Sequence, residues 1–336
     1  MENKKLNFKE SKAILERIKE SNNILLSLHQ SPDMDSISSN LLMTHFLDKI
    51  NKKYTLISPD KIPVRFKKPY KLDKVIENID MNTFDFSRFD LFIALDVNQP
   101  RRFGLIDKIL PEVINIDHHY TKNEFEGLKI NDSTYCSTAE VMFYLLEDFE
   151  YKINQKEANL ALIGIITDTE SFSYGASSRV FVTVSKLLDL GGDYDKVDEL
   201  IYRNNDIDQI KYWAEALKRI KIDVKYRFAY TSLDIKTVNK YPNVLQGTRT
   251  VADKFMRTIK DTDFGMIMTE TEEGYLKISV RSRSSTFGVP ELLTALNGGG
   301  HFGGGGGRID LPYKEAIKEA LRIARNFAKS KMKDAK

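Results

Sequence analysis

"NILLSLHQSPDMDS", residues 23–36, passes abruptly from oil to charge. Its apolar run is short and bounded by polar residues, which predicts a buried strand rather than a helix. His29, Asp33 and Asp35 then fall within seven positions. The continuation "SISSNLLMTHFLDKI" (36–50) places Ile37, Leu41, Leu42 and Phe46 on one helical face. A strand, a polar loop and a helix in that order form the first half of a parallel β-α-β unit.

The same alternation continues outward. "YTLIS" (54–58), "LFIAL" (91–95) and "VINI" (113–116) are short apolar runs separated by turn signals, and residues 8–20 have apolar residues at helical spacing. "STAEVMFYLLEDF" (137–149) and "KEANLALIGIIT" (156–167) read as buried helices. Strands alternating with helices predict an α/β fold whose parallel sheet carries helices on both faces. The pattern changes near Gly191 and Gly192. We expect a catalytic domain over 1–188, a helical linker over 189–210 and a smaller α/β domain over 211–336. That second part opens with the strand-like runs "FAYTSL", "FGMIMT" and "YLKISVRSR". It ends in a basic amphipathic helix that Ile317, Leu321, Ile323 and Phe327 pack against the domain.

Composition narrows the field. Lys+Arg 51 against Asp+Glu 48 leaves a charge of +3, too balanced for tight non-specific nucleic-acid binding. Cys136 is the only cysteine, so zinc sites built on several thiolates are excluded and a reducing compartment is expected. The charged start "MENKKLNFKESKAILERIKES" lacks a secretory apolar core, and no apolar run approaches the roughly 20 residues of a membrane span. The expectation is a cytoplasmic protein without membrane contact, with monomer and homodimer both open.

Three predicted strands run into acidic or histidine residues: His29, Asp33 and Asp35 after the first, Asp96 after "LFIAL", and Asp117, His118 and His119 after "VINI". Asp168 ends the long apolar segment "LIGIIT". Ligands of open parallel sheets bind beyond the carboxyl ends of the strands, so neighbouring strands would bring these groups together. One such aspartate alone reads better as a helix cap than as a ligand. Several carboxylates together need a compensating cation. A mixed imidazole and carboxylate set suits manganese, iron or zinc, and so many ligands suit two ions sharing one carboxylate.

Four segments, "HQSPDMDS", "ALDVNQPRR", "NIDHHYTK" and "GIITDTESF", resemble motifs I to IV of the DHH phosphoesterases. "SVRSRS" and "NGGGHFGGGGG" resemble the associated substrate-binding domain, DHHA1. The likeness covers about residues 10–325 and is strongest to the nanoRNase/pAp phosphatase (NrnA-type) group. It implies a first divalent ion on His29, Asp33 and Asp96, and a second on Asp35, Asp96, His118 and Asp168. Two manganese ions are the implied cofactors. Asp117 would orient a ligating histidine, and His119 would stabilise charge or protonate the leaving oxygen. Arg281 matches an arginine that holds substrate phosphate and Arg102 a substrate-binding arginine at the site entrance, and the small domain would face the catalytic one across a cleft.

Eight of the ten residues from Gly298 to Gly307 are glycine. A flexible linker competes here with a phosphate-binding loop, and the interruption by His301 and Phe302 favours the loop. Gly298, Gly299, Gly300, His301 and Gly306 match the family pattern, while Gly304 and Gly305 replace its alanines and Glu170 replaces a common glycine. Ser137 and Thr138 read as the start of a helix. The implied activity is two-metal hydrolysis of short RNA or DNA oligonucleotides and dinucleotides to mononucleotides, with 3′-dephosphorylation of pAp. A stand-alone cyclic di-AMP phosphodiesterase and a non-catalytic nucleotide-binding protein are the alternatives.

Overall fold

The computed structural model describes residues 6–62, 66–67, 70, 72–105, 110–120, 122–173, 175–203, 205–242, 244, 247–284 and 286–334. It divides into two compact units, Met1–Asn204 and Asn205–Lys336. The division falls between the helices Tyr194–Tyr202 and Ile207–Lys218, within the stretch read as a helical linker.

In the first unit a five-stranded sheet is wholly parallel. Its strands are β1 (Ile24–Ser27), β2 (Tyr54–Ile57), β3 (Leu91–Leu95), β4 (Glu112–Asp117) and β5 (Leu128–Asn131), in the order β2-β1-β3-β4-β5. The chain therefore leaves β1 to one side for β2 and returns on the other for β3. Such a reversal opens a crevice at the strand ends, where open α/β sheets take their ligands.

Side chains alternate across this sheet, and both faces are buried. Ile24, Leu26, Ile93 and Ile114 meet the helices α1 (Ser11–Glu20), α2 (Met34–Lys49), α3 (Thr138–Asp148) and α4 (Gln155–Asp168). Leu25, Phe92, Ala94 and Val113 pack on the opposite face against Phe86, Phe103 and Phe125, two of which lie in the short 3-10 helices Phe86–Arg88 and Pro100–Phe103. β5 has no place in the sequence reading. It is an edge strand of four residues with one buried side chain, too short and too polar to give an apolar run.

The second unit carries a six-stranded mixed sheet. β6 (Lys221–Asp223), β7 (Phe228–Leu233), β8 (Phe264–Glu272), β9 (Tyr275–Ser282), β10 (Gly299–His301) and β11 (Gly304–Ile309) lie in the order β10-β11-β9-β8-β7-β6. The C-terminal helix Tyr313–Asp334 covers one face. Phe327 is buried there as expected, but Ala316, Ala320 and Ala324 form the most deeply buried stripe, with Ile317, Leu321 and Ile323 only partly covered. Small residues let the helix approach the sheet closely, and apolar counting by side-chain size misses them.

The glycine run proves to be a hairpin, not a loop. Gly299, Gly300 and His301 pair antiparallel with Gly306, Gly305 and Gly304. A side chain at 298 would reach within 1.9 Å of the Gly306 carbonyl oxygen, and one at 304 within 2.5 Å of Arg281 Cδ. The glycines there permit close strand packing. No helix among the described residues is long and apolar enough to cross a membrane.

Candidate metal centre

β1 delivers His29 and then Asp33, which caps α2 by accepting from the Ser36 N–H at 3.1 Å. Capping and ligation are thus compatible in one side chain. His29 Nε2 lies 3.7 Å from Asp33 Oδ1 and 3.5 Å from Asp96 Oδ2. Its Nδ1 is 2.8 Å from the Gln30 carbonyl oxygen, a contact that assigns a proton to Nδ1, so Nε2 is the nitrogen that a metal ion would take in place of a second proton. Burial disfavours the imidazolium of His29, yet Asp33 and Asp96 outweigh it and raise the pKa to about 10.

β3 delivers Asp96, whose φ is +62°. An L-residue in this region is strained, and here the strain turns a carboxylate into the crevice immediately after the strand. Asn115 braces the turn by donating to the carbonyls of Ala94 at 3.0 Å and Val97 at 2.7 Å. Asp96 Oδ1 is 3.8 Å from His118 Nε2, so the two oxygens of this buried side chain face different histidines.

His118 Nε2 also stands 3.8 Å from Asp35 Oδ2 and 3.3 Å from Asp168 Oδ2. Asp35 comes from the first turn of α2 and Asp168 from the last residue of α4. Asp35 is fully buried, and its carboxyl is raised well above the usual range by lost solvation, then by Asp96 and Asp168. Partial desolvation, with repulsion from Asp96 and Asp33, raises Asp168 to about 6 against the pull of His118. Negative charge is in excess, which is the condition a divalent cation relieves.

Among the described residues, three groups have ligand atoms within 4.8 Å of one another: His29, Asp33 and Asp96; Asp35, His118 and Asp168; and Asp96, His118 and His119. All six residues expected as metal ligands therefore meet at one place. The donor set fits divalent ions: neutral imidazole nitrogen plus carboxylate oxygen, with Asp96 within reach of both sides.

Asp117, expected to orient a ligating histidine, pairs its Oδ1 with His119 Nδ1 at 2.7 Å. His119 itself belongs to one of the three groups. Arg102 is exposed, and its carbonyl accepts from the Gln30 N–H at 2.8 Å, so its backbone lies beside the His29 loop. Arg281, Gly299, Gly300 and His301 belong to the second unit. There Arg281 Nε donates to Asp253 Oδ1, and Nη1 donates to the Val280 carbonyl at 2.9 Å and the Gly305 carbonyl at 3.2 Å.

Two contributors escaped the sequence reading. Thr138 bonds both Asp35 and Asp96. Gly164 on α4 faces Asp35 so closely that a Cβ would lie 2.7 Å from Oδ1. The only signal for either was position: a polar residue and a glycine on helices whose ends meet the acidic strand tips.

Residues 23–165 match the family described as DHH family, N-terminal domain. This chain carries a DHH-family domain. The DHH family is one of metal-dependent phosphoesterases, and its matched span holds every candidate ligand except Asp168. The chain is 29% identical over 309 residues to the cyclic-di-AMP phosphodiesterase GdpP of Bacillus subtilis, a match covering 87% of this chain but 45% of that protein. It is 25% identical over 314 residues to the bifunctional oligoribonuclease and PAP phosphatase NrnA of Thermus thermophilus, covering 90% and 91% of the two. Among solved structures, an exopolyphosphatase-related protein from Bacteroides fragilis superposes with a TM-score of 0.87 at 25% identity, covering 97% and 98%. The likeness to that structure extends through both units of this chain.

Proposed function

We propose that this protein is a manganese-dependent phosphodiesterase that cuts short linear oligonucleotides and dinucleotides to mononucleotides, with pAp as a further substrate. The observation that carries this reading is Asp96, with Oδ2 toward His29 and Oδ1 toward His118. One carboxylate reaching two ligand sets is the arrangement of a two-ion phosphoryl site. His29 and Asp33 would hold one ion, and Asp35, His118 and Asp168 the other. Divalent ions there would neutralise phosphate oxygens and the charge that develops on them. His119, paired with Asp117 and half exposed, would give a proton to the leaving oxygen. Arg281 and the glycine hairpin supply a cation and close-packed backbone for a terminal phosphate, once the anion competes with Asp253.

The near end-to-end likeness to the NrnA relative supports linear short substrates. The likeness to GdpP supports a second reading, cleavage of cyclic di-AMP. Purified protein with manganese should convert labelled pApA to mononucleotide, and do so faster than it opens cyclic di-AMP. Faster cyclic turnover selects the second reading. No product from either substrate with manganese, cobalt or magnesium rejects both and leaves a nucleotide-binding protein.

A further inference from the structure

Thr138 is the first residue of α3, and its helix start is rigidly built. Ser137 Oγ accepts from the Glu140 N–H at 3.1 Å, and Glu140 Oε2 accepts from the Cys136 N–H at 2.9 Å. Both Ser137 and Thr138 are wholly buried. The capping is therefore complete without any other group of Thr138. Yet the Thr138 N–H donates to Asp35 Oδ2 at 2.7 Å, and the next amide, Ala139 N–H, donates to Asp35 Oδ1 at 2.9 Å. The hydroxyl of the same threonine donates to Asp96 Oδ1 at 2.9 Å. Asp35 and Asp96 come from different elements, α2 and the turn that ends β3.

We infer that Thr138 is a positioning residue of the metal centre: its main-chain N–H grips Asp35, its hydroxyl grips Asp96, and the rigid helix start fixes the distance between them. The inference rests on reading this site as a divalent metal centre. Its chemistry is that of an outer-shell donor. A carboxylate oxygen has two lone pairs, so a hydrogen bond on one fixes the rotamer and leaves the other for a cation. Asp96 Oδ1 is the oxygen turned to His118, so the hydroxyl also decides which oxygen faces which ligand set. The bidentate grip on Asp35 is reinforced by the helix dipole, which favours negative charge at this end. Gly164 leaves room for this arrangement, since a side chain there would press on Asp35 Oδ1 and on Ala139 Cβ.

The hydroxyl is separable from the fold by substitution. Thr138→Val keeps shape and main-chain N–H but removes the donor to Asp96. Thr138→Ser keeps the donor and loses a methyl group. Manganese binding to the full chain is measured by titration calorimetry, with thermal melts in EDTA as the check on folding. Thr138→Val should bind manganese about 10- to 100-fold more weakly, the usual cost of losing an outer-shell partner, while Thr138→Ser stays within about threefold of the parent. Unchanged affinity and stoichiometry in a folded Thr138→Val protein overturn the inference. So does a Thr138→Ser protein as weak as Thr138→Val, because the hydroxyl is then not the active feature. If Thr138→Val does not fold, Thr138→Ala is titrated in its place under the same two criteria. A parent protein that binds no manganese removes the metal reading itself, and the inference with it.

Discussion

Asp117 Oδ1 and His119 Nδ1 lie 2.7 Å apart, with the carboxylate fully buried and the imidazole half exposed. This contact fixes the ring and assigns the Nδ1 proton, so Nε2 is the free edge. Burial opposes the charge on His119, but Asp117, Asp96 and Asp168 prevail and raise its pKa to about 9. Without metal the ring is then protonated at neutral pH; ions held by Asp96 and Asp168 would weaken that bias and leave Asp117 as the partner that favours the acid form. Asp117→Asn removes one of the raising charges, so the His119 pKa falls and the acid form is lost at lower pH. The alkaline limb of the kcat/KM profile should move down in pH, and kcat at pH 8 should drop by about 10- to 100-fold. Superimposable pH profiles would deny His119 the acid role.

Asp96→Asn tests the proposed sharing of one carboxylate by two ions. An amide offers one oxygen of reduced charge where the carboxylate turned two oxygens to His29 and His118. Turnover of pApA should fall by more than about 100-fold, with manganese content below that of the parent protein. Steady-state rates and elemental analysis on the same sample decide it. Near-normal rates at full metal content would show that the two ligand sets do not share this residue.

The six candidate ligands were legible because the ends of buried strands and helices are legible. A run such as "LFIAL" can only be buried, and the first polar residue after it must emerge at the sheet's edge. Strand order was not legible, and the order β2-β1-β3 is what joins the His29 loop to Asp96. Thr138 was seen only as a helix start because its hydroxyl partner lies 42 residues away. The glycine hairpin hid for another reason. Glycine carries no polar and apolar alternation, so β10 and β11 left no period to read.

Glu170 illustrates a local mismatch that sequence comparison flagged and the backbone explains. Its φ is +46°, and Ser171 and Phe172 follow at +55° and +66°. Three successive L-residues in the left-handed region cost roughly 1–2 kcal/mol each. Glu170→Gly removes one such cost and adds the roughly 0.5–1 kcal/mol of glycine's extra chain entropy. The net expectation is a gain of about 0.5–1 kcal/mol, read as a higher melting temperature. A lower melting temperature would mean that the Glu170 side chain stabilises this turn by more than the backbone strain costs.

The glycine hairpin allows a comparison within one element. A Cβ at Gly299 would meet nothing within 4 Å, whereas one at Gly304 would stand 2.5 Å from Arg281 Cδ and 2.7 Å from the Val280 carbonyl oxygen. The Arg281 stem can swing, but the Val280 carbonyl is strand backbone paired in the sheet and cannot. Gly304→Ala should therefore lose about 1–3 kcal/mol, the usual range for overpacking a closed site. It should also dislodge Arg281 from Asp253, since the added methyl occupies the path of its Cδ. Gly299→Ala should be neutral or slightly stabilising, because it reduces chain entropy without a clash. Melting temperatures of the two variants separate a packed hairpin from a flexible linker, for which both substitutions would act alike. KM for pApA then reports on Arg281. A shift in Gly304→Ala with none in Gly299→Ala would tie substrate affinity to the guanidinium that Gly304 makes room for, and equal KM values in both would remove Arg281 from the binding of short substrates.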